Sequence, residues 1–311
     1  MTGSTDARRL RAEGVSLGYD AQTVVHRLDL AVPDGSFTVI VGANGSGKST
    51  LLRGLARLLR PQTGRVLLDG HEIHSYPPKE AARRLGLLPQ SQTAPDGISV
   101  IDLVARGRYP HQSLLRQWSA ADEEAVRTAL ELTDTADLAG KAFDELSGGQ
   151  RQRVWLAMAL AQQTEILLLD EPTTYLDIAH QIDVLDLCAR LRAERGYTLV
   201  AVLHDLNLAA RYATHLVAMK DGAIVAEGHP AAVVTPELVA HVFGLSCRVI
   251  TDPESGTPLV IPRHRTHAPA PRPDDAPPPA TNPADAPARR ARPVDVSPTA
   301  ARPTAEGETL P

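Results

Sequence analysis

Residues 37–55 read FTVIVGANGSGKSTLLRGL. An apolar run, a glycine-rich loop and a helical pattern follow one another without a gap. Gly42, Ala43, Asn44, Gly45, Ser46, Gly47, Lys48, Ser49 and Thr50 have the spacing of a phosphate-binding loop. The glycines let backbone N–H groups wrap phosphate oxygens, Lys48 reaches the β- and γ-phosphates, and the Ser49 hydroxyl is placed to ligate Mg²⁺. That chemistry needs a strand before the loop and a helix after it. FTVIV and KSTLLRGLARLL supply both.

Downstream, RLGLLP, TEILLLD and TLVAVLH are further short Leu/Val/Ile runs, most of them followed by helical patterns. Such continuous apolar runs suit strands covered on both faces, so the expected fold is α/β with a largely parallel sheet. Ligands then bind beyond the carboxyl ends of the strands, where the phosphate loop already lies. SVIDLVARGRYP and SAADEEAVRTALELT are helical with no strand between them, which predicts a helical subdomain inserted over about 91–145. AMKDGAIVAEG and CRVITDPESGTPLVIP read as hairpins about DG and ESG turns.

The chain has 311 residues, enough for a sizeable core, and only 4% aromatics, so that core is mainly Leu, Val and Ala. A net charge of -5 leaves no basic excess for a nucleic-acid backbone, so no nucleic-acid partner is expected. Cys188 and Cys247 stand far apart with no metal-ligand spacing, which fits a reducing compartment and no disulfide. MTGSTDARRLRAEG lacks the apolar segment of a signal peptide, and runs such as ILLL and TLVAVL are too short to span a bilayer. The expectation is a soluble cytosolic protein that acts on membranes only through a partner. From His264 to Pro311 the chain is Pro, Ala, Arg, Asp and Thr with almost no large apolar residues, which predicts a disordered tail after a domain of residues 1–263. HEIH at 71–74 reads as a polar loop, so no metal beyond nucleotide-bound Mg²⁺ is expected.

Two further stretches bear on the phosphate chemistry. ILLLDEP ends a strand with Asp170, a carboxylate able to hold Mg²⁺ directly or through its second coordination sphere. Glu171 beside it is placed to polarise a water for in-line attack on the γ-phosphate. LSGGQRQRVW at 146–155 puts Ser147, Gly148, Gly149 and Gln150 at the start of a helix, where free N–H groups and a positive dipole end face an anion. One phosphate loop does not need a second such site.

The phosphate loop, LSGGQ and LLLDEP, in this order, resemble the ATP-binding subunits of ABC transporters over nearly the whole stretch from Leu10 to Pro262. The resemblance implies that family's P-loop NTPase fold, with a largely parallel core sheet, an N-terminal antiparallel β part and the helical insertion. It implies ATP and Mg²⁺ as cofactors and a head-to-tail homodimer. Each LSGGQ then closes on the ATP held by the partner's loop, so the second anion site serves the other subunit's nucleotide. Position by position, it implies that Tyr19 in SLGYD stacks on adenine and that Gln90 in LLPQSQ reaches towards Mg²⁺ and the attacking water. His204 in AVLHDLN would contact the γ-phosphate, and Asp177 in TTYLD would sit at the dimer interface. Tyr175 departs from the family pattern, where many relatives carry a small residue.

GRYPHQSLLRQWSAADEEAV, EPTTYLDIAHQIDVL and CRVITDPESGTPLVIP carry a narrower resemblance, to the ATPases of bacterial ferric-siderophore importers of the ferric-enterobactin type. It implies an integral-membrane permease as partner, a substrate-binding protein acting through it, and a place on the cytoplasmic face of a bacterial cell membrane. Haem and cobalamin importers belong to the same broader group and stay open; a soluble ATPase of iron–sulfur cluster assembly is a more distant alternative. A chromosome-maintenance ATPase would need a long coiled coil between the phosphate loop and LSGGQ, and no sustained heptads occur there.

Overall fold

The computed structural model describes residues 8–20, 22–90, 93–113 and 118–263. The tail expected from residue 264 lies outside them. The chain opens with two long antiparallel strands, β1 (Leu10–Tyr19) and β2 (Gln22–Val32). Leu28, Leu30 and Val32 are buried in turn along β2, the alternation of a sheet packed on one face. β3 (Phe37–Gly42) is buried at every position and runs directly into the phosphate loop and helix α1 (Lys48–Leu55).

Helix α1 is shorter than the KSTLLRGLARLL pattern suggested. Arg57 takes a left-handed φ of 65°, and its guanidinium donates to the carbonyls of Ile73 and Tyr76 at 3.2 and 3.0 Å. These contacts hold the chain out of the helix. β4 (Thr63–Leu68) and β5 (His71–Glu72) complete a four-stranded antiparallel sheet in the order β2-β1-β4-β5.

Helix α2 (Pro78–Arg84) leads into β6 (Leu85–Leu88), after which the chain is helical: α3 (Val100–Ala105), α4 (Ala120–Leu132) and α5 (Gly148–Ala161). Serine caps start each of these three: Ser99, then Ser119 in a capping box with Asp122, then Ser147 in a box with Gln150. Arg108 and Asp122, only 4% and 3% exposed at the side chain, fasten this insertion. Arg108 Nε donates to Asp122 Oδ1 at 2.9 Å, and Nη1 donates to the carbonyl of Ala161 at 2.6 Å, at the end of α5. Each buried charge is therefore partnered, as burial requires.

The chain then returns to the sheet through β7 (Ile166–Asp170), α6 (Ile178–Arg195), β8 (Thr198–Val202), α7 (Leu206–Tyr212) and β9 (His215–Lys220). Gly196, at φ 71°, gives α6 its left-handed stop. β10 (Ala223–Gly228), α8 (Pro230–Val233), α9 (Pro236–Phe243) and the hairpin β11 (Cys247–Thr251) and β12 (Pro258–Pro262) finish the described chain. The large sheet has the order β10-β9-β3-β8-β7-β6, with every neighbouring pair parallel except β9 and β10.

Both faces of that sheet are covered. Val39, Leu167, Leu169, Leu199 and Ala201 pack into one apolar cluster with the helical insertion, and Ile40, Leu168, Val200 and Val202 pack into the other with the antiparallel sheet. Each fully buried Leu or Val contributes about 1.5–3 kcal/mol. The consequence for function is positional. The carboxyl ends of β3, β8, β7 and β6 lie along one edge of the sheet, so residues far apart in sequence meet there. No helix among the described residues is long and apolar enough to cross a membrane.

Candidate active site

Asn44, Gly45 and Gly47–Thr50 line a cleft together with Val24, Glu171 and His204. Gly45 and Gly47 have φ values of 79° and 94°, a left-handed bend that a residue with a side chain rarely takes. Ser46 is buried with no partner for its hydroxyl. Lys48 is 5% exposed, and its Nζ donates to the carbonyls of Gly42 and Ala43 at 2.9 and 3.0 Å. Burial pushes the ammonium below the ordinary lysine range, while Glu171 and Asp170 pull it back up. A buried cation held by neutral carbonyls between two carboxylates is suited to receive phosphate oxygens.

Asp170 closes β7 and is 3% exposed, and its Oδ1 has no hydrogen-bond partner. Burial raises its proton affinity above the ordinary carboxylate range, and a hydrogen bond from the Ser49 hydroxyl opposes that rise. An unsatisfied buried carboxylate oxygen beside a serine hydroxyl is an oxygen donor set, which fits a hard cation such as Mg²⁺. Among the described residues no three His, Cys, Asp or Glu side chains converge into a metal cage. A cation here would thus draw its remaining ligands from phosphate and water.

Glu171 takes a left-handed φ of 54°, uncommon for a residue with a side chain, and is 10% exposed at the carboxylate. Its Oε1 lies 2.6 Å from His204 Nε2. Its Oε2 accepts from Gln90 Nε2 at 2.7 Å and from Thr174 Oγ1 at 3.0 Å. Three residues expected at the site thus converge on one another, from β6, β7 and β8. Gln90 and His204 both engage Glu171, Gln90 from a cleft that it shares with Asp170 and His204 from the lining of the phosphate-loop cleft. Thr174 was not singled out by the sequence; its only signal was a hydroxyl three residues after Glu171, within reach in a tight EPTT turn.

Tyr19 ends β1 and shares a second cleft with Arg53, Leu87, Gln90 and Asp170. Its ring is partly exposed, and its hydroxyl accepts from Arg53 Nη1 at 3.0 Å. Arg53, another residue the sequence reading missed, fixes the ring's edge. Tyr19→Ala should weaken ATP binding roughly fivefold while leaving inorganic triphosphate unaffected, because a base-stacking contact is worth about 1 kcal/mol. Calorimetric titration of both ligands checks this, and equal weakening of the two would exclude stacking.

The LSGGQ residues lie elsewhere. None of Ser147, Gly148, Gly149 or Gln150 lines the phosphate-loop cleft of its own chain. Ser147 Oγ accepts from Gln150 N at 3.3 Å, Gln150 Oε1 accepts from Ser147 N at 3.0 Å, and the first turn of α5 carries no acidic side chain. Gly148 is exposed with open space where a Cβ would stand. Asp177, also outside the cleft, caps α6 by accepting from His180 N at 2.9 Å. That backbone bond and the His180 ring hold its carboxyl below the ordinary range. Beside it, Tyr175 is 97% exposed and Ile178 80% exposed.

Comparison with known proteins agrees with this geometry. Residues 25–174 match the family described as ABC transporter. The ferric enterobactin transport ATP-binding protein FepC of Escherichia coli (strain K12) is 57% identical over 258 residues, covering 83% of this chain and 95% of its own. One chain of an inward-facing ABC transporter of the metal-chelate type superposes with a TM-score of 0.72 at 29% identity, over 84% of this chain and 99% of that one. The ATP-binding cassette MJ0796, dimeric in a post-hydrolysis state with ADP and Pi bound, superposes with a TM-score of 0.62 at 26% identity, over 71% of this chain and 98% of its own. With its phosphate loop, LSGGQ helix start and DEP strand end on one such scaffold, the chain belongs to the ATP-binding subunits of ABC transporters, and it is an ATPase.

Proposed function

We propose that this chain is the ATP-hydrolysing subunit of an importer of iron chelates of the ferric-siderophore class, working as a homodimer beneath a membrane permease. The observation that carries the chemistry is the Glu171 carboxylate, pinned by His204, Gln90 and Thr174 at the mouth of the phosphate-loop cleft. The similarity to FepC and to a metal-chelate transporter chain supports the cargo.

In this reading the loop N–H groups and Lys48 bind the β- and γ-phosphates, exchanging the carbonyl contacts of Lys48 for phosphate oxygens. Ser49 and Asp170 hold Mg²⁺, which when bound would neutralise charge on the phosphate oxygens. Glu171 accepts a hydrogen bond from the attacking water and polarises it towards the γ-phosphorus. His204 keeps one Glu171 oxygen in place, and Gln90 and Thr174 keep the other, so the carboxylate is oriented before the substrate arrives. Tyr19 holds the adenine. Ser147, Gly148, Gly149 and Gln150 receive the γ-phosphate bound by the partner, with Asp177 at the same interface; the open space at Gly148 leaves room for it.

The domain of residues 1–263 carries these functions at the cytoplasmic face of a bacterial cell membrane. A substrate-binding protein delivers the chelate to the permease on the other side. The test is ATP hydrolysis by the complex of chain, permease and binding protein in vesicles. Ferric siderophores should stimulate hydrolysis severalfold, and haem and cobalamin should not. Stimulation by haem or cobalamin alone would replace the iron-chelate assignment.

A further inference from the structure

Gly149 differs from Gly148 in having a neighbour. A Cβ built on Gly149 would fall 2.6 Å from His180 Cγ and 2.7 Å from Nε2, and closer still to Cδ2. The imidazole therefore lies directly on the Gly149 backbone, in space that any other residue would fill. The same ring takes a second hold, with Nδ1 2.7 Å from Asp177 Oδ1. An ionised carboxylate only accepts, so Nδ1 carries the proton in this contact. Asp177 Oδ1 thus receives both the backbone N–H and the ring N–H of His180.

Asp177 stands at the end of a segment that begins at Glu171, and that segment is internally tied. Thr174 N donates to the Glu171 carbonyl at 3.2 Å, and Leu176 N donates to the Thr173 carbonyl at 3.3 Å. Gln181 Nε2 donates to the Leu176 carbonyl at 2.9 Å. One imidazole therefore connects the helix start at Gly149 to a braced segment whose other end is Glu171.

We propose that His180 is a positioning residue that locks the Gly149 end of α5 to the Glu171–Asp177 segment, so that the anion-facing helix start and the Glu171 carboxylate move as one body. The proposal rests on the homodimer reading above. Its consequence is that His180 tunes how well LSGGQ meets the partner's γ-phosphate without touching the nucleotide held by its own chain. Neither His180 nor Gly149 lines the phosphate-loop cleft of its own chain.

The contact suggests a compensating pair. His180→Ala removes the ring, and Gly149→Ala evicts it by occupying its space. Combining the two lets the new methyl fill the space the ring has left, which repairs packing but not the link to Asp177. The full chain carrying Glu171→Gln, in MgATP, is the parent for light scattering, thermal melting and calorimetric titration of nucleotide. Both single variants should weaken dimerisation at least tenfold, and His180→Ala should keep the parent's MgATP affinity at protein concentrations too low for dimers. The double variant should recover the parent's melting temperature and stay at least tenfold weak in dimerisation. A double variant that dimerises like the parent would show that His180 only fills space, and would overturn the proposal. His180→Ala dimerising like the parent would overturn it too. A parent that does not dimerise in MgATP removes the homodimer reading and the proposal with it, a result visible before any His180 variant is compared.

Discussion

Replacing Glu171 with Gln should cut MgATP hydrolysis about 10²–10⁴-fold, the usual contribution of a positioned base, while nucleotide binding stays near the parent's. The geometry explains why so large an effect need not disturb the site. Both Glu171 oxygens act as acceptors, one towards His204 and the other towards Gln90 and Thr174. A Gln carboxamide can turn its oxygen to the Gln90 and Thr174 donors and its NH₂ to His204 Nε2. His204 accepts that bond once its proton sits on Nδ1, a tautomer open to neutral imidazole. The contacts survive, and the negative charge that polarises water is lost. Single-turnover release of phosphate measures the rate; a loss of less than tenfold would mean that another group activates the water.

The same variant reports on the second anion site. In the proposed dimer, with cleavage stopped, the γ-phosphate would keep bridging the phosphate loop of one subunit and the α5 start of the other, so a dimer should form with MgATP and not with MgADP. Ser147→Arg on this background should abolish it. Ser147 is exposed at the helix start, and its Oγ caps Gln150 N. A long cation there destroys the cap and crowds the approach of the phosphate. A dimer that ignores the nucleotide, or that survives Ser147→Arg, would disconnect LSGGQ from the partner's ATP.

Much of this site was legible in the sequence because its parts are local. A strand buried on both faces writes itself as an unbroken apolar run, so the ends of β3, β7 and β8 are legible, and with them the places of Lys48, Asp170 and His204. The capping box of Ser147 and Gln150 spans only four residues and belongs to the helix start that LSGGQ announced. What could not be read is who faces whom across the sheet. Gln90 and Glu171 are 81 residues apart, and only the adjacency of β6 and β7 makes them partners. Arg53 on Tyr19 and His180 on Gly149 are contacts of the same kind, between side chains that carry no mutual spacing. The early end of α1 was hidden for that reason as well, because Arg57 leaves the helix to serve carbonyls contributed by a later turn.

Asp170→Asn should do two opposite things: raise the stability of the nucleotide-free protein at neutral pH, and remove most Mg²⁺-dependent hydrolysis. The first follows from an unsatisfied buried charge. Asp170 is 3% exposed, Oδ1 has no partner, and burial holds its folded proton affinity above that of the unfolded chain. A carboxyl raised in this way contributes its full stability below the unfolded pKa and loses it as pH rises through the folded pKa. At neutral pH the wild-type protein therefore carries the cost of the ionised form. Asn has nearly the same shape without that charge, and its amide can still pair with the Ser49 hydroxyl. Lys48 keeps Glu171, the larger of its two carboxylate influences. The second effect follows from the donor set, since a neutral amide oxygen binds a hard cation more weakly than a carboxylate, and hydrolysis should fall by roughly a hundredfold or more. Thermal melting of both proteins across pH separates the causes. The advantage of the Asn variant should be greatest at neutral pH and shrink as pH falls through the raised Asp170 value. A variant that is less stable at neutral pH, or an advantage that does not change with pH, would mean that Asp170 is satisfied by its surroundings and is not held in reserve for the metal.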